Sequence, residues 1–158
     1  PSVYPVQIAF NVIPHGGDFD ANGYTSEEMK LVTETRKILG DDAIGVNATV
    51  VRVPVFYGHS EAVSIETRDK LTAAQARQLL EDAPGVEVVD EREPGGYPTP
   101  VTHASGTDPV YVGRIREDLS HPRGLNLWVV ADNIRKGAAL NAVQLAELVA
   151  AEDGWRPA

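Results

Sequence analysis

An arginine and a histidine stand seven residues apart in a run otherwise made mostly of apolar and small residues, Val51-Arg52-Val53-Pro54-Val55-Phe56-Tyr57-Gly58-His59-Ser60-Glu61. A guanidinium is a permanently charged planar fork that grips a carboxylate through two parallel hydrogen bonds, and an imidazole exchanges protons near neutral pH. Burying either group without a partner would be costly. An odd separation places the two on opposite faces of a flat strand, so they converge only if the chain bends or bulges between Pro54 and Gly58; the glycine beside His59 permits that. The plainer reading is an arginine in a buried ion pair and a histidine bonded to a carbonyl. Spacing leaves both readings open.

Other chemistry is limited by what the chain lacks. It contains no cysteine, which removes disulfides, Cys-ligated zinc, iron–sulfur clusters and any thiolate mechanism run by this chain alone. His15 falls in a Pro-His-Gly-Gly turn, His103 in a long loop and His121 before Pro122, each expected at the surface. No His/Asp/Glu cluster has metal-ligand spacing, so no metal is expected. Neither a Gly-x-Gly-x-x-Gly fingerprint nor a Walker-type loop occurs, so a dinucleotide-binding half is expected to lie outside this sequence. The 158 residues, 42% of them hydrophobic, suffice for one ordinary domain spanning 1–158. A net charge of −9 repels nucleic-acid phosphates and anionic lipid headgroups, so neither nucleic acid nor membrane is an expected partner. No apolar run approaches the roughly 18 to 20 residues of a membrane span, and Pro1-Ser2-Val3-Tyr4-Pro5 has no basic or apolar leader character. The expected location is cytoplasmic.

The elements that must position these residues follow from local pattern. Val6 to Ile13 is a short apolar segment closed by Pro14 and Gly16-Gly17, which suits a buried strand and a turn. Thr25 with Glu28 has the form of a capping box, and Met29, Val32, Arg36 and Leu39 then share one helical face ending at Gly40. Gly45–Val53 and Gly58–Thr67 have β-type composition and read as two strands joined around Pro54 to Tyr57. Thr72 and Gln75 repeat the capping box before Ala76, Leu79 and Leu80, with Pro84-Gly85 as the stop. Val86–Asp90 reads as a strand, Glu91–Asp108 as a long surface excursion, and Pro109–Arg116 and Gly124–Val130 as two more strands. Arg135–Ala151 is a long apolar helix expected to end near Gly154. Strands and helices do not alternate strictly, so the expected class is α+β, with helices packed on one face of an antiparallel or mixed sheet.

The run Arg52 to Glu61 resembles the C-terminal-domain signature of aspartate-semialdehyde dehydrogenases. Ala9 to Pro14, Glu27 to Lys30 with Glu34 to Gly40, Tyr97 to Pro100, Val112 to Arg116, Leu125 to Trp128 and Asp132 to Asn141 resemble the same family in the same order. The resemblance implies a glyceraldehyde-3-phosphate-dehydrogenase-like C-terminal fold, a mixed, largely antiparallel sheet whose outer surface builds a homodimer interface. It implies that Arg52 holds the substrate carboxylate, where lysine would serve poorly. It implies that His59 is the acid/base that takes a thiol proton and later shuttles the hemithioacetal proton. Glu27 and Lys30 match residues that contact substrate and phosphate, and their i,i+3 spacing puts both on one helix face, although an ordinary surface salt bridge would look the same. Asn133 matches a position near the nicotinamide of NADP, and a helix N-cap is the alternative or coexisting role.

In that family, aspartate semialdehyde, phosphate and a nicotinamide cofactor give aspartyl phosphate through a thiohemiacetal, hydride transfer and phosphorolysis of a thioester. Biosynthesis of lysine, methionine, threonine and diaminopimelate runs the reverse. The family's cysteine nucleophile and nucleotide fold lie upstream of the matching segment, so these residues alone are expected to be inactive. Two other readings stay open. One is a non-catalytic dimerisation module, weakened because Arg52, His59, Glu27 and Lys30 are all present. The other is an N-acetyl-glutamyl-phosphate reductase-type domain, disfavoured by the Arg-Val-Pro run through His-Ser-Glu.

Overall fold

A computed structural model describes residues 3–151. These residues gather into two compact units, 3–54 and 55–151.

The first unit is organised by helix α1, Ser26–Leu39. Its start is set by Glu28, whose carboxylate accepts the Thr25 N–H at 2.7 Å and so satisfies a donor that the helix leaves free. Its end is Gly40 in the left-handed region with φ 64°, after a last turn carrying Arg36 and Lys37, cations that suit the negative end of the helix dipole. The following segment runs back along α1. Arg36 Nε donates to the Ile44 carbonyl at 2.9 Å, and the second Glu28 oxygen accepts the Val50 N–H at 2.9 Å. Between those ties Ile44, Val46, Ala48 and Val50 are half-buried and the residues between them exposed, the period of an extended chain with one covered face.

The two strands expected at Val6–Ile13 and Gly45–Val53 are not formed. What remains is one bridge, in which Ile13 and Arg52 exchange both backbone hydrogen bonds at 3.0 and 2.8 Å. The cause is local. Asn11 donates its N–H to the Ile8 carbonyl and its side-chain amide to the Gln7 carbonyl, and Phe10 has a positive φ of 58°. Backbone groups needed for a ladder are spent on a turn. Ile13 is buried, while Val6, Phe10 and Val12 are exposed.

The second unit is an α+β layer. Strands β1 (His59–Glu66), β2 (Val86–Val88), β3 (Val110–Glu117) and β4 (Gly124–Ala131) form one sheet in the order β1-β4-β3-β2. The β1–β4 and β4–β3 pairs are antiparallel and β2–β3 is parallel, so the sheet is mixed. Helix α2, Ala73–Glu81, starts at the Thr72 and Gln75 capping box and covers one face. Ala76 and Leu80 pack with Leu71, Val112, Ile115 and fully buried Leu125; burying a side chain of that size contributes roughly 1.5–3 kcal/mol. Leu79, expected on that face, points to solvent.

Glu91–Asp108 is not a simple surface excursion. It contains a π-helical turn, Pro100–Ala104, and Pro98 and Ala104 are fully buried. Ala104 packs with Tyr111 and Val130 on the second sheet face, and the half-buried Trp128 indole donates to the Pro98 carbonyl at 2.9 Å. A buried indole N–H requires an acceptor, and that requirement draws the loop onto the sheet. The last expected helix opens with another π-helical turn, Arg135–Ala139, and continues as α3, Leu140–Ala151. Its expected end at Gly154 lies outside the described residues. None of its apolar residues is buried. Among the described residues no helix is long and apolar enough to cross a membrane.

Candidate functional site

Three of the five candidate residues belong to the first unit. Glu27 and Lys30 lie in the first turns of α1, their charged atoms 3.8 Å apart and both about half exposed. A pair this open contributes little to stability and remains available to a ligand. The start of the helix is held from two sides. The Gly16 carbonyl accepts the Glu27 N–H at 3.2 Å, and Glu28, the next residue, is buried and ties the turn to Val50. The donated N–H groups of Thr25 and Val50 hold the Glu28 carboxyl below its ordinary range, because they stabilise only the charged form.

Arg52 is placed by its bridge to Ile13, two residues beyond Val50. The reading in which it closes a buried ion pair fails. Its side chain is exposed, and among the described residues it has no carboxylate partner. Its guanidinium lies 5.7 Å from the centroid of the Tyr4 ring, within range of a cation–π contact that orients the fork without neutralising it. Glu28 and Val50 therefore connect the turn carrying Glu27 and Lys30 to the segment carrying Arg52.

His59 and Asn133 belong to the second unit. The chain bends at Pro54, Phe56 and Tyr57, so no single flat strand runs from Arg52 to His59. His59 opens β1 opposite Ala131 on β4. Its side chain is exposed and among the described residues accepts and donates no hydrogen bond, contrary to the carbonyl-bonded alternative. An imidazole so placed can exchange protons with a substrate. Asn133 is half-buried and its side-chain carbonyl accepts the Gly58 N–H at 3.1 Å.

The N-cap alternative for Asn133 belongs instead to its neighbour. The Asp132 carboxylate accepts the N–H groups of Ile134 and Arg135 at 2.9 and 3.0 Å and of Gly106 at 2.9 Å. Those donors, from Arg135 and Gly106 first, hold its carboxyl low. Sequence reading missed Asp132, and the signal was present: an Asp followed two and three residues on by the first free helical N–H groups. Also unforeseen is a cavity of about 320 Å³ lined by Tyr97, Pro98, Thr99, Arg114 and Trp128. Nothing in the linear sequence signals it, because its walls come from the loop, β3 and β4.

Among the described residues no group of three or more acidic, histidine or cysteine side chains could hold a metal. The side-chain amide of Asn133 is a group that could hold a nicotinamide cofactor. The carbonyl of Asn133 is occupied by Gly58, which leaves its amide N–H₂ as a donor of the kind a carboxamide oxygen accepts.

Comparison with known proteins bears on the family and the fold. Residues 1–136 match the family described as "Semialdehyde dehydrogenase, dimerisation domain". The aspartate-semialdehyde dehydrogenase of Legionella pneumophila is 64% identical over 150 residues, covering 95% of this chain and 43% of that protein. That of Aquifex aeolicus is 55% identical over 149 residues, covering 94% of this chain and 44% of that protein. A crystal structure of aspartate semialdehyde dehydrogenase II from Vibrio cholerae complexed with ASA superposes with a TM-score of 0.90 at 54% identity, over 96% of this chain and 44% of that one. The chain thus spans less than half the length of each relative. The α+β architecture agrees with the glyceraldehyde-3-phosphate-dehydrogenase-like C-terminal fold that the resemblance implies. On the family match, supported by these identities across nearly all of its length, the chain belongs to the semialdehyde dehydrogenase dimerisation-domain family.

Proposed function

We propose that these residues are the substrate-binding and dimerisation part of an aspartate-semialdehyde dehydrogenase, interconverting L-aspartate-4-semialdehyde plus phosphate with L-aspartyl-4-phosphate. The observation that carries the proposal is an exposed guanidinium at Arg52 with no carboxylate partner among the described residues, in a chain 64% identical to an enzyme of that name. Arg52 receives the substrate carboxylate as a bidentate fork. Lys30 contacts the phosphate as a point charge and Glu27 contacts substrate. His59 takes the proton from a cysteine thiol, passes it to the oxygen of the hemithioacetal as that adduct forms, and takes the hydroxyl proton again as hydride leaves. That cysteine comes from a part of the full-length protein outside these residues, since they contain none. NADP, when bound, would supply the hydride acceptor or donor, and Asn133 would help hold its nicotinamide. The cofactor's remaining contacts also come from outside the 158 residues, so the chain alone is expected to reduce no dinucleotide. The reaction serves lysine, methionine, threonine and diaminopimelate biosynthesis in the cytoplasm.

The dimer in this reading forms through the sheet face that α2 does not cover. There Ser60, Ala62 and Ser64 of β1 are exposed beside half-buried Asn126 and Trp128 of β4. Small side chains on an edge strand allow a second sheet to approach closely.

The test is Arg52→Lys in the full-length enzyme. Charge is kept and the fork is lost, so kcat/KM for the semialdehyde should fall roughly ten- to a hundredfold, the scale of one charge-assisted hydrogen bond. Unchanged kinetics would remove Arg52 from the site.

A further inference from the structure

We propose that Asn133 is a positioning residue for His59, acting through the Gly58 peptide. The proposal rests on the reading of His59 as the acid/base. The imidazole sits at a weak point of the fold. It is carried by the first residue of β1, an edge strand paired only with β4. The residues before it bend at Phe56 and Tyr57, both exposed. A strand end with one neighbour and a solvent-exposed approach frays unless a further bond closes it. Asn133 supplies that bond: its Oδ1 accepts the Gly58 N–H at 3.1 Å across a sequence separation of 75.

The junction is fitted to that bond from both ends. Gly58 has a φ of +93°, and a Cβ there would lie 3.1 Å from Pro100 Cβ and 3.3 Å from the Ala131 carbonyl oxygen. Only glycine turns its N–H toward Asn133 at this approach without strain. Asn133 in turn cannot drift, because Asp132 is buried and binds three backbone N–H groups, from Gly106, Ile134 and Arg135. The path runs from a pinned carboxylate through one amide to the peptide next to the imidazole. A role limited to touching the cofactor would not engage the Asn133 carbonyl with Gly58.

Three variants of the full-length enzyme test this. Asn133→Ala should lower kcat about ten- to a hundredfold, the cost of a displacement on the order of 1 Å at a reacting group, with KM for semialdehyde within about twofold of native. Asn133→Asp keeps an oxygen acceptor and should restore most of kcat. In the 158-residue chain, Asn133→Ala should speed amide exchange at Gly58 by roughly tenfold or more while Leu125 and Val130 keep their protection, which separates local release from unfolding. If His59→Ala abolishes turnover but Asn133→Ala leaves kcat unchanged, or raises only the cofactor KM, the positioning role is wrong. If Asn133→Asp loses as much as Asn133→Ala, the acceptor is not what matters, and the role is equally wrong. Full turnover in His59→Ala overturns the acid/base reading, and the positioning role falls with it.

Discussion

The buried carboxylate of Glu28 shows how one side chain serves both structure and site. Its two oxygens accept from Thr25 and Val50, so it closes α1 and ties the Arg52 segment to the turn that carries Glu27 and Lys30. A glutamine at this position keeps one acceptor and loses the charge. Because the folded carboxyl titrates below its ordinary value of 4.5, its stabilisation is fully present above that value and disappears as pH falls through the lower, folded one. Glu28→Gln should therefore lower the thermal midpoint at pH 7, and the gap to the native chain should narrow at pH 3. Thermal unfolding followed by circular dichroism at the two pH values checks this; a gap independent of pH would show that the charge contributes nothing. Arg52 and His59 were legible as candidates because their chemistry is intrinsic to the side chains, whereas Glu27 and Lys30 were singled out only by the family resemblance. That Asp132 rather than Asn133 takes the capping role was not legible, since two adjacent residues with similar side chains differ only in the direction each points.

Among the elements, both capping boxes and all four strands of the sheet follow from patterns within a few residues. The failures share a cause. Val6–Ile13 and Gly45–Val53 have strand composition, but a strand needs a partner, and only Ile13 and Arg52 find one. The loop before β3 reads as surface because Pro and Gly are frequent in it, yet it is held down by Trp128 and Ala104. Gly113 makes that packing possible: a Cβ there would stand 2.2 Å from the Val89 carbonyl oxygen and 2.7 Å from Pro98 Cδ. Gly113→Ala forces backbone, not a flexible side-chain end, to move. It should destabilise the chain by about 1–3 kcal/mol, the usual cost of overpacking, measured by urea unfolding. A loss below about 0.5 kcal/mol would mean that the loop lies off the sheet.

For the molecule as a whole, the family match names a dimerisation domain, and the proposed interface lies on the β1 side of the sheet face opposite α2, beside the loop whose Ala104 packs on Tyr111 and Val130. Ala62 stands near the middle of β1 opposite Trp128. Light scattering at micromolar concentration should give twice the 17.0 kDa of one chain, and Ala62→Glu should give the single-chain mass, because a charge on a dry contact loses its hydration. A native chain that stays at 17.0 kDa would place the interface elsewhere or remove it.

Residue order alone set the capped helices, the period-2 strands, the acidic charge and the candidate chemistry, because each depends on side-chain type or on neighbours within about four positions along the chain. It could not set which extended segments pair, where the loop before β3 lies, or that Asn133 reaches Gly58. Those outcomes depend on partners brought near by folding across long separations, and a hydrogen-bond donor or an apolar face carries no label in the sequence for the distant group that will satisfy it.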